Sequence, residues 1–449
     1  MTDDMHASCM QSGYPTIASA LAAMAEGRVT AANILDACLA RVTALNGTLH
    51  AVHHLDAAGA RATRDAGALT GIPWGIKDNF DVAALPCSAN SRLRAGRVAT
   101  TDAPIVSMLR QTGAPLIGKL ATWEYGTGTG AEHFDLPNPP ARNPWDTARF
   151  TGGSSTGAGV AVATGMTLFA IGSDTTGSVR LPAAATGCCG VLMTPGVLPM
   201  EGGLPNTYSM DRPGPITWTA EDAAIVLDAM LGTQLRAAGN AGAKGLRVAV
   251  VRDPGPGLPA AQAELAAAFE AGLSVLSQLG ARITEAKLPW PASTCLDAAR
   301  VIGAAESASI HEEELRKTPE LMGAALRDKL LAGMGVSAVD YLAAQRLRRA
   351  FSDAMERFWD AHDVVLCFGT LHLPPRLGVE PESSNYTMET MLTPASLAGL
   401  PALVQCTGFS EAGLPLHWQI MTRQENEAAM FRAAMAFERA TDWRSRRPA

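Results

Sequence analysis

The chain has 449 residues, of which 47% are hydrophobic and 18% are charged, and its formal net charge at pH 7 is −7. This balance is typical of a globular protein with enough apolar material for a large core. Because the chain is acidic and has no dense run of lysine and arginine, it lacks the basic stripe that a nucleic-acid-binding surface needs, and we expect no nucleic-acid partner.

In chain order, the apolar periodicity predicts helices at 16–45 (broken at 27–30) and 57–68, a strand-like run at 71–80, a helix at 102–112, a short strand at 115–117 and a proline-rich loop at 132–149. The stretch 151–194 is interpreted as a loop, an apolar helix, a strand, a second Gly/Ser/Thr-rich loop and another apolar segment. Long loops inside a compact domain are often functional, so the proline-rich loop is a candidate site position.

In the second half, Thr219 is predicted to cap a helix, with Asp222 completing a capping box. The remaining elements are strands at 246–251, 283–288, 364–368, 403–406 and 416–420, and helices at 259–279, 320–362 and 425–441. Helices that alternate with short apolar strands favour an α/β fold with a largely parallel or mixed sheet. The weakest internal boundary is the Ala/Gly-rich segment 235–245.

The eight cysteines form no C-x-x-C pair and no Cys/His cluster with zinc-ligand spacing, so we expect reduced thiols and no metal. The first 13 residues do not resemble a signal peptide. The apolar run 157–172 is shorter than the roughly 20 residues that a membrane span needs. We therefore expect a soluble cytoplasmic protein without a membrane partner.

Two motifs suggest other enzyme classes but lack the required context. Residues 113–119 fit G-x-x-x-x-G-K, but Leu120 follows where a nucleotide site needs Ser or Thr, and the intervening residues form an apolar strand. Residues 153–157 fit G-x-S-x-G centred on Ser155, but no buried strand precedes them as a nucleophile elbow requires. A nucleotide site and an α/β-hydrolase are therefore both disfavoured.

Lys77 is one of only six lysines and lies within an apolar, strand-like run. It could be a strand-edge lysine that extends its amine to solvent. If it is buried instead, desolvation lowers its pKa, and the neutral amine can act as a general base.

Two Gly/Ser-rich segments, 151–157 and 172–180, contain Ser154 and Ser178. Each segment alone could be an ordinary turn or helix cap. Small residues also allow successive backbone N–H groups to point toward one position, as in an oxyanion hole.

Taken together, these segments resemble the amidase signature family. Residues 71–79 (GIPWGIKDN) are similar to its lysine segment, 142–146 and 152–157 to the start of its signature, and 172–180 (GSDTTGSVR) to its nucleophile loop. The 24-residue spacing between Ser154 and Ser178 agrees with the family pattern, and 209–215, 337–341, 398–402 and 413–420 are similar to later family motifs. Thr156, Thr176 and the segment 192–194 depart from the usual residues without removing a catalytic group.

The resemblance implies a large mixed β-sheet sandwiched between helices and a single domain over 1–449. Within it we expect N-terminal helices at 15–70, the signature core at 71–232 and a C-terminal half at 245–441. The implied catalytic residues are Lys77, Ser154 and Ser178, with a cis Gly153–Ser154 peptide. Backbone N–H groups of Thr175, Thr176, Gly177 and Ser178 are implied as the oxyanion hole, and Ser155, Asp174 and Arg180 as supporting residues. Candidate pocket residues are Tyr125, Gly126, Thr127, Phe134, Met200 and Tyr208.

The implied function is hydrolysis of a small-molecule amide, or of an anilide, carbamate (urethane) or ester, without a cofactor and with a homodimer as an open possibility. The alternative is the glutaminase component, the A subunit, of a tRNA-dependent amidotransferase, which shares the signature. A non-catalytic binding protein on the same scaffold is a third possibility, against which the complete Lys/Ser/Ser set argues.

Overall fold

A computed structural model describes residues 16–128 and 135–448. The strands in these ranges are β1 Val52–Leu55, β2 Trp74–Lys77, β3 Leu116–Leu120, β4 Phe169–Asp174, β5 Cys189–Leu192, β6 Arg212–Thr217, β7 Arg247–Val251, β8 Arg282–Glu285, β9 Val364–Cys367, β10 Ala402–Phe409 and β11 Pro415–Thr422. They form one 11-stranded sheet in the order β1-β3-β2-β4-β6-β5-β10-β11-β9-β7-β8. The pairs β3–β2–β4 and β9–β7–β8 are parallel and the other neighbours are antiparallel, which confirms the predicted mixed sheet.

Fifteen helices of the described ranges accompany this sheet. They are α1 Ile17–Ala25, α2 Ala31–Leu49, α3 Ala57–Ala62, α4 Pro104–Gln111, α5 Thr156–Ala163, α6 Arg180–Thr186, α7 Ala220–Leu231, α8 Leu235–Asn240, α9 Ala263–Gln278, α10 Ala292–Lys317, α11 Ala324–Met334, α12 Ala338–Phe358, α13 Glu382–Met388, α14 Thr393–Ala398 and α15 Glu427–Arg439. The α/β fold class predicted from the sequence is confirmed. Strands before residue 232 and after residue 245 belong to the same sheet, so one layer of hydrogen bonds joins both halves of the chain.

The centre of the sheet brings the signature segments together. Strands β2 and β4 are parallel neighbours in which Trp74 pairs with Phe169, and their rings stack with centroids 5.9 Å apart. Lys77 is the last residue of β2, and the loop 175–179 follows β4 directly. Because the carboxyl ends of parallel strands lie at the same edge, Lys77 and this loop meet there.

Several element boundaries differ from the sequence predictions. The N-terminal segment predicted as helices also contributes the edge strand β1, and the helix predicted at 57–68 ends at Ala62. The helical region predicted at 320–362 is two helices, α11 and α12. Strand β8 ends at Glu285, before the predicted limit of 288.

Two elements have no clear signal in the sequence. Strand β6 has the sequence RPGPIT, and prolines normally argue against an interior strand. Strand β5 pairs only with Ile216 and Thr217 of β6. Pro213 and Pro215 therefore lie outside the ladder of hydrogen bonds between β5 and β6. Periodicity does not predict helix α10, because its buried face includes Gly303, Glu306 and His311 in place of a regular apolar stripe.

The N-terminal cap of α7 contains one of the two hydrogen bonds of the predicted capping box. Thr219 Oγ1 accepts a hydrogen bond from the Asp222 backbone N–H at 3.0 Å, as expected for an N-cap. Asp222 Oδ1 instead accepts the Ala18 N–H at 3.1 Å. The side chain expected to complete a capping box therefore ties the start of α1 to α7.

Over the two described ranges, no helix combines the length and the apolar character that crossing a lipid bilayer requires.

Candidate active site

Lys77 is fully buried at the end of β2. Its Nζ lies 2.7 Å from Ser154 Oγ, 3.0 Å from Ser173 Oγ and 3.3 Å from the Ser173 carbonyl oxygen. Burial lowers the pKa of Lys77 to about 7, although the nearby carboxylates of Asp211 and Asp174 act in the opposite direction. Near neutral pH this amine can therefore be present uncharged, as a general base must be.

Ser154 and Ser155 are both buried but their side chains have different partners. The Gly153–Ser154 peptide is cis, as the resemblance implied. Ser154 Oγ contacts Lys77, whereas Ser155 Oγ donates to the Ser173 carbonyl oxygen at 3.3 Å. The Ser155 backbone N–H donates to the Ser178 carbonyl at 3.1 Å and so fixes the two serine-bearing segments against each other.

Ser178 is half-buried and lies on the wall of a cavity of about 780 Å³. Thr175, Thr176 and Gly177 line the same cavity. The Gly177 N–H donates to Asp174 Oδ1 at 2.7 Å, so this group, predicted as an oxyanion donor, already has a partner within the loop. The predicted donor set is thereby reduced to the backbone N–H groups of Thr175, Thr176 and Ser178.

Asp174 and Arg180 form a fully buried ion pair at the base of this loop. The carboxylate receives Arg180 Nη2 and Nε at 3.0 Å each, and the Val179 N–H at 3.1 Å. Burial alone would raise the pKa of Asp174, but the charge and hydrogen bonds of Arg180 outweigh it and lower that pKa. The pair predicted to brace the loop is therefore present, and it is buried rather than at the surface.

Arg180 also connects the loop to the C-terminal half of the chain. Its guanidinium donates to the Leu392 carbonyl oxygen at 2.8 Å, to Gln419 Oε1 at 2.6 Å and to Ser396 Oγ at 2.7 Å. With Asp174 included, its donors are satisfied without water. The side chain thus holds the loop, α14 and β11 in one arrangement.

A second carboxylate, that of the half-buried Asp211, holds the other side of the loop. Its Oδ1 accepts the Thr175 hydroxyl at 2.5 Å, and its Oδ2 accepts the backbone N–H groups of Asn206 and Thr207 at 2.7 and 2.9 Å. Burial raises the pKa of this carboxyl, and these hydrogen bonds act against that rise. Asp211 belongs to the segment 209–215 that the resemblance singled out, but the sequence does not predict its contact with Thr175.

The structure places only some of the predicted pocket residues on the cavity wall. Gly126 and Thr127 line the cavity. Tyr125 does not: it has a left-handed φ of 46°, and its ring packs edge-on against His311 with centroids 4.4 Å apart. Met200 and Tyr208 line a separate groove, so their assignment to the cavity wall is corrected. Phe134 lies outside the described residues.

Most of the cavity wall comes from residues that the sequence did not indicate. Helices α10 and α11 contribute Leu296, Ala299, Arg300, Gly303, Asp328 and Lys329, and other segments contribute Trp123, Leu181, Asn206, Met210 and Leu392. They are separated by as many as 269 positions along the chain, and no local motif connects them.

The G-x-x-x-x-G-K motif at 113–119 has a structural explanation. Lys119 is fully buried in β3, where its Nζ forms an ion pair with Asp78 Oδ1 at 2.9 Å. This pairing occupies the charge that a nucleotide phosphate would need.

Throughout the part of the chain that the structure describes, no cluster of three His, Cys, Asp or Glu side chains is arranged to hold a metal ion.

Comparison with known proteins gives a family match over most of the chain. The Amidase family model matches residues 28–431. The A subunit of the glutamyl-tRNA(Gln) amidotransferase of Chloroflexus aggregans is 30% identical, with 97% of this chain and 98% of that protein covered. Its counterpart in Cupriavidus taiwanensis is 32% identical over 95% and 96% of the two chains.

Solved structures show the same fold. A chain from an inhibitor-bound complex, described as a vestigial protein complex that reveals the evolutionary origins of an s-triazine catabolic enzyme, superposes with a TM-score of 0.88 at 27% identity, covering 96% of this chain and 100% of that one. A crystal structure of an amidase gives a TM-score of 0.83 at 28% identity, covering 95% and 100%. Since the family model and these relatives extend over nearly all of it, the chain belongs to the amidase signature family.

Proposed function

We propose that this chain is an amidohydrolase that cleaves a carboxylic amide, or a related anilide, carbamate or ester, through an acyl-enzyme on Ser178. Family membership makes it a hydrolase that acts on C–N bonds. The observation that carries the proposal is the 2.7 Å contact between Lys77 Nζ and Ser154 Oγ, buried beside the loop that presents Ser178 to the cavity.

In the proposed reaction, neutral Lys77 accepts the Ser154 hydroxyl proton while Ser154 accepts the proton of Ser178. Ser178 Oγ then attacks the substrate carbonyl carbon, and the negative charge moves to the carbonyl oxygen. Backbone N–H groups of Thr175, Thr176 and Ser178 supply the donors for this oxyanion. Ser154 next protonates the leaving nitrogen as the C–N bond breaks, and the Lys77 ammonium returns its proton to Ser154. Water then attacks the acyl carbon and loses its proton through Ser154 to Lys77, and the same route returns that proton to Ser178 Oγ as the acid is released.

The activity should depend on pH through Lys77. A protonated amine cannot accept the serine proton, so kcat/KM for a neutral substrate should rise with pH through an apparent pKa of about 7 and then level off. A pH–rate profile on a neutral aryl amide measures this. Asp211→Asn should move the midpoint to lower pH, because the Asp211 carboxylate raises the Lys77 pKa. A profile that stays flat below neutral pH would contradict a neutral-lysine base.

The substrate class is tested with a panel of purified aryl amides, primary amides, carbamates and activated esters. We expect turnover of at least one aryl amide or carbamate by the isolated chain. Absence of turnover across the panel, together with no acyl-enzyme detectable by mass spectrometry, would contradict the proposal.

A second candidate function is supported by the full-length relatives, which belong to glutamyl-tRNA(Gln) amidotransferases and are 30 to 32% identical to this chain. Such a protein would release ammonia from glutamine inside a complex. Glutamine hydrolysis should therefore be measured for the isolated chain and again with candidate partner proteins added. Glutaminase activity that appears only with partners would favour this function over the stand-alone amidohydrolase.

A further inference from the structure

The charged residues on the wall of the cavity differ in their exposure to solvent. Four of the described residues that line it are charged: Asp135, Arg300, Asp328 and Lys329. Asp135, Arg300 and Asp328 are exposed, whereas Lys329 is half-buried. Lys329 is thus the charged group most withdrawn from solvent on this wall.

Lys329 has a hydrogen bond but no counter-ion. Its Nζ donates to Asn206 Oδ1, and no carboxylate of residues 16–128 or 135–448 lies within ion-pair distance of it. Asp211 and Glu306 act on it from farther away. Burial, the larger influence, lowers the pKa of Lys329 to about 8, so the amine still carries its charge near neutral pH.

Both of those carboxylates are engaged by other groups. The oxygens of Asp211 accept the Thr175 hydroxyl and two backbone N–H groups. Glu306 accepts the Ser209 N–H at 2.9 Å and the Tyr341 hydroxyl at 3.0 Å. An ammonium group has three donors, so after its bond to Asn206 the amine of Lys329 retains two for a ligand. A half-buried cation without a paired anion favours a ligand that supplies one.

Asn206 places the amine of Lys329 beside the loop 175–179. Its Nδ2 donates to the Gly126 carbonyl oxygen at 3.2 Å and to Thr175 Oγ1 at 3.4 Å, while its Oδ1 accepts from Lys329. One side chain therefore separates the amine of Lys329 from the loop of Ser178. A group bound at Lys329 would belong to the same ligand whose carbonyl lies at Ser178.

We propose that Lys329 is a specificity-determining residue that binds a carboxylate of the substrate, so that the preferred substrates are amides with an anionic group. This inference names the substrate class of the proposed amidohydrolase and rests on that proposed function. The apolar walls Leu181, Met210, Leu296 and Leu392 suit the carbon chain of such a molecule. Arg300 adds a second positive charge to the cavity wall, but it is exposed to solvent, as are Asp135 and Asp328.

The test measures binding without turnover. In a Ser178→Ala background, calorimetry compares the monoanilides of malonic, succinic and glutaric acid with their methyl esters, which add one methyl group and remove the charge. We expect at least one acid to bind about 10- to 100-fold more tightly than its ester, the range of a charge-assisted hydrogen bond. Adding Lys329→Met should reduce this preference to within about twofold, because it removes the donor and keeps the volume.

Two matched variants and a pH series control the result. Lys329→Arg should retain most of the preference, and Lys317→Met, which removes an exposed charge on α10, should retain all of it. The acids should lose affinity as pH rises through about 8, because Lys329 loses its proton, whereas the esters should not. If every acid binds no more tightly than its ester, or the preference persists in Lys329→Met, the proposal is overturned. Labelling of wild-type Ser178 by a fluorophosphonate tests the proposed function separately, because it does not need Lys329.

Discussion

Ser178→Ala is expected to lower kcat/KM by about 10³- to 10⁶-fold on any amide or ester that the wild-type chain hydrolyses. The substitution removes the oxygen that would attack the carbonyl and that would carry the acyl group. Ser178 is half-buried on the cavity wall, so removing its hydroxyl should leave the fold intact. Initial rates on the best substrate of the panel measure the loss. Mass spectrometry after fluorophosphonate treatment should show a modified Ser178 peptide in the wild type and none in the variant.

The paired comparison of Ser154→Ala and Ser155→Ala tests which of the two adjacent serines carries the proton. Ser154 Oγ contacts Lys77 Nζ, whereas Ser155 Oγ donates to the Ser173 carbonyl oxygen. We expect Ser154→Ala to approach the loss of Ser178→Ala, and Ser155→Ala to lose less than about tenfold, the range of one hydrogen bond. Near-normal turnover by Ser178→Ala, or a larger loss in Ser155→Ala than in Ser154→Ala, would contradict the proposed roles.

The residues at the centre of the site could be predicted because local sequence determines their placement. Lys77 ends a short apolar strand, and Ser178 follows another by four residues, so parallel pairing of β2 and β4 places Lys77 and the loop of Ser178 at the same edge of the sheet. Glycine positions support the same prediction. A side chain at Gly153 would come within 2.3 Å of the Trp123 ring, so the Gly-rich pattern reflects close packing as well as turns.

The cavity wall could not be predicted in this way. Asn206 and Lys329 lie 123 positions apart and meet only because α11 packs against the loop that precedes β6. Aromatic residues near the signature were natural candidates for the wall, but Tyr125 turns away into contact with His311. Long-range packing determines such contacts, and neither periodicity nor residue type encodes them locally.

The Gly177 N–H group, predicted as an oxyanion donor, is a different case, because its partner Asp174 lies only three residues away. A run of small residues predicts that several N–H groups point to one position, but it does not determine which of them a neighbouring carboxylate takes. Asp174 accepts the Gly177 N–H and is itself held by Arg180. The ion pair that braces the loop therefore also determines which donors remain for an oxyanion.

Arg180→Met is expected to destabilise the protein by about 3–5 kcal/mol, the usual effect of removing one partner from a buried ion pair. Both Asp174 and Arg180 are fully buried, so the variant leaves the Asp174 carboxylate without its cation. It also leaves the Leu392 carbonyl oxygen and Gln419 Oε1 without a donor. Urea unfolding measures the change in the free energy of unfolding.

Lys317→Met is the matched control, because it breaks an exposed ion pair with Glu313 and should change the unfolding free energy by no more than about 0.5 kcal/mol. Adding Asp174→Asn to Arg180→Met should recover part of the loss, since it removes the unpaired buried charge. Turnover by Arg180→Met should fall even at temperatures where it remains folded, because the Gly177 and Val179 N–H groups are positioned by the same carboxylate. A destabilisation no larger than that of Lys317→Met would show that the buried pair does not hold the loop.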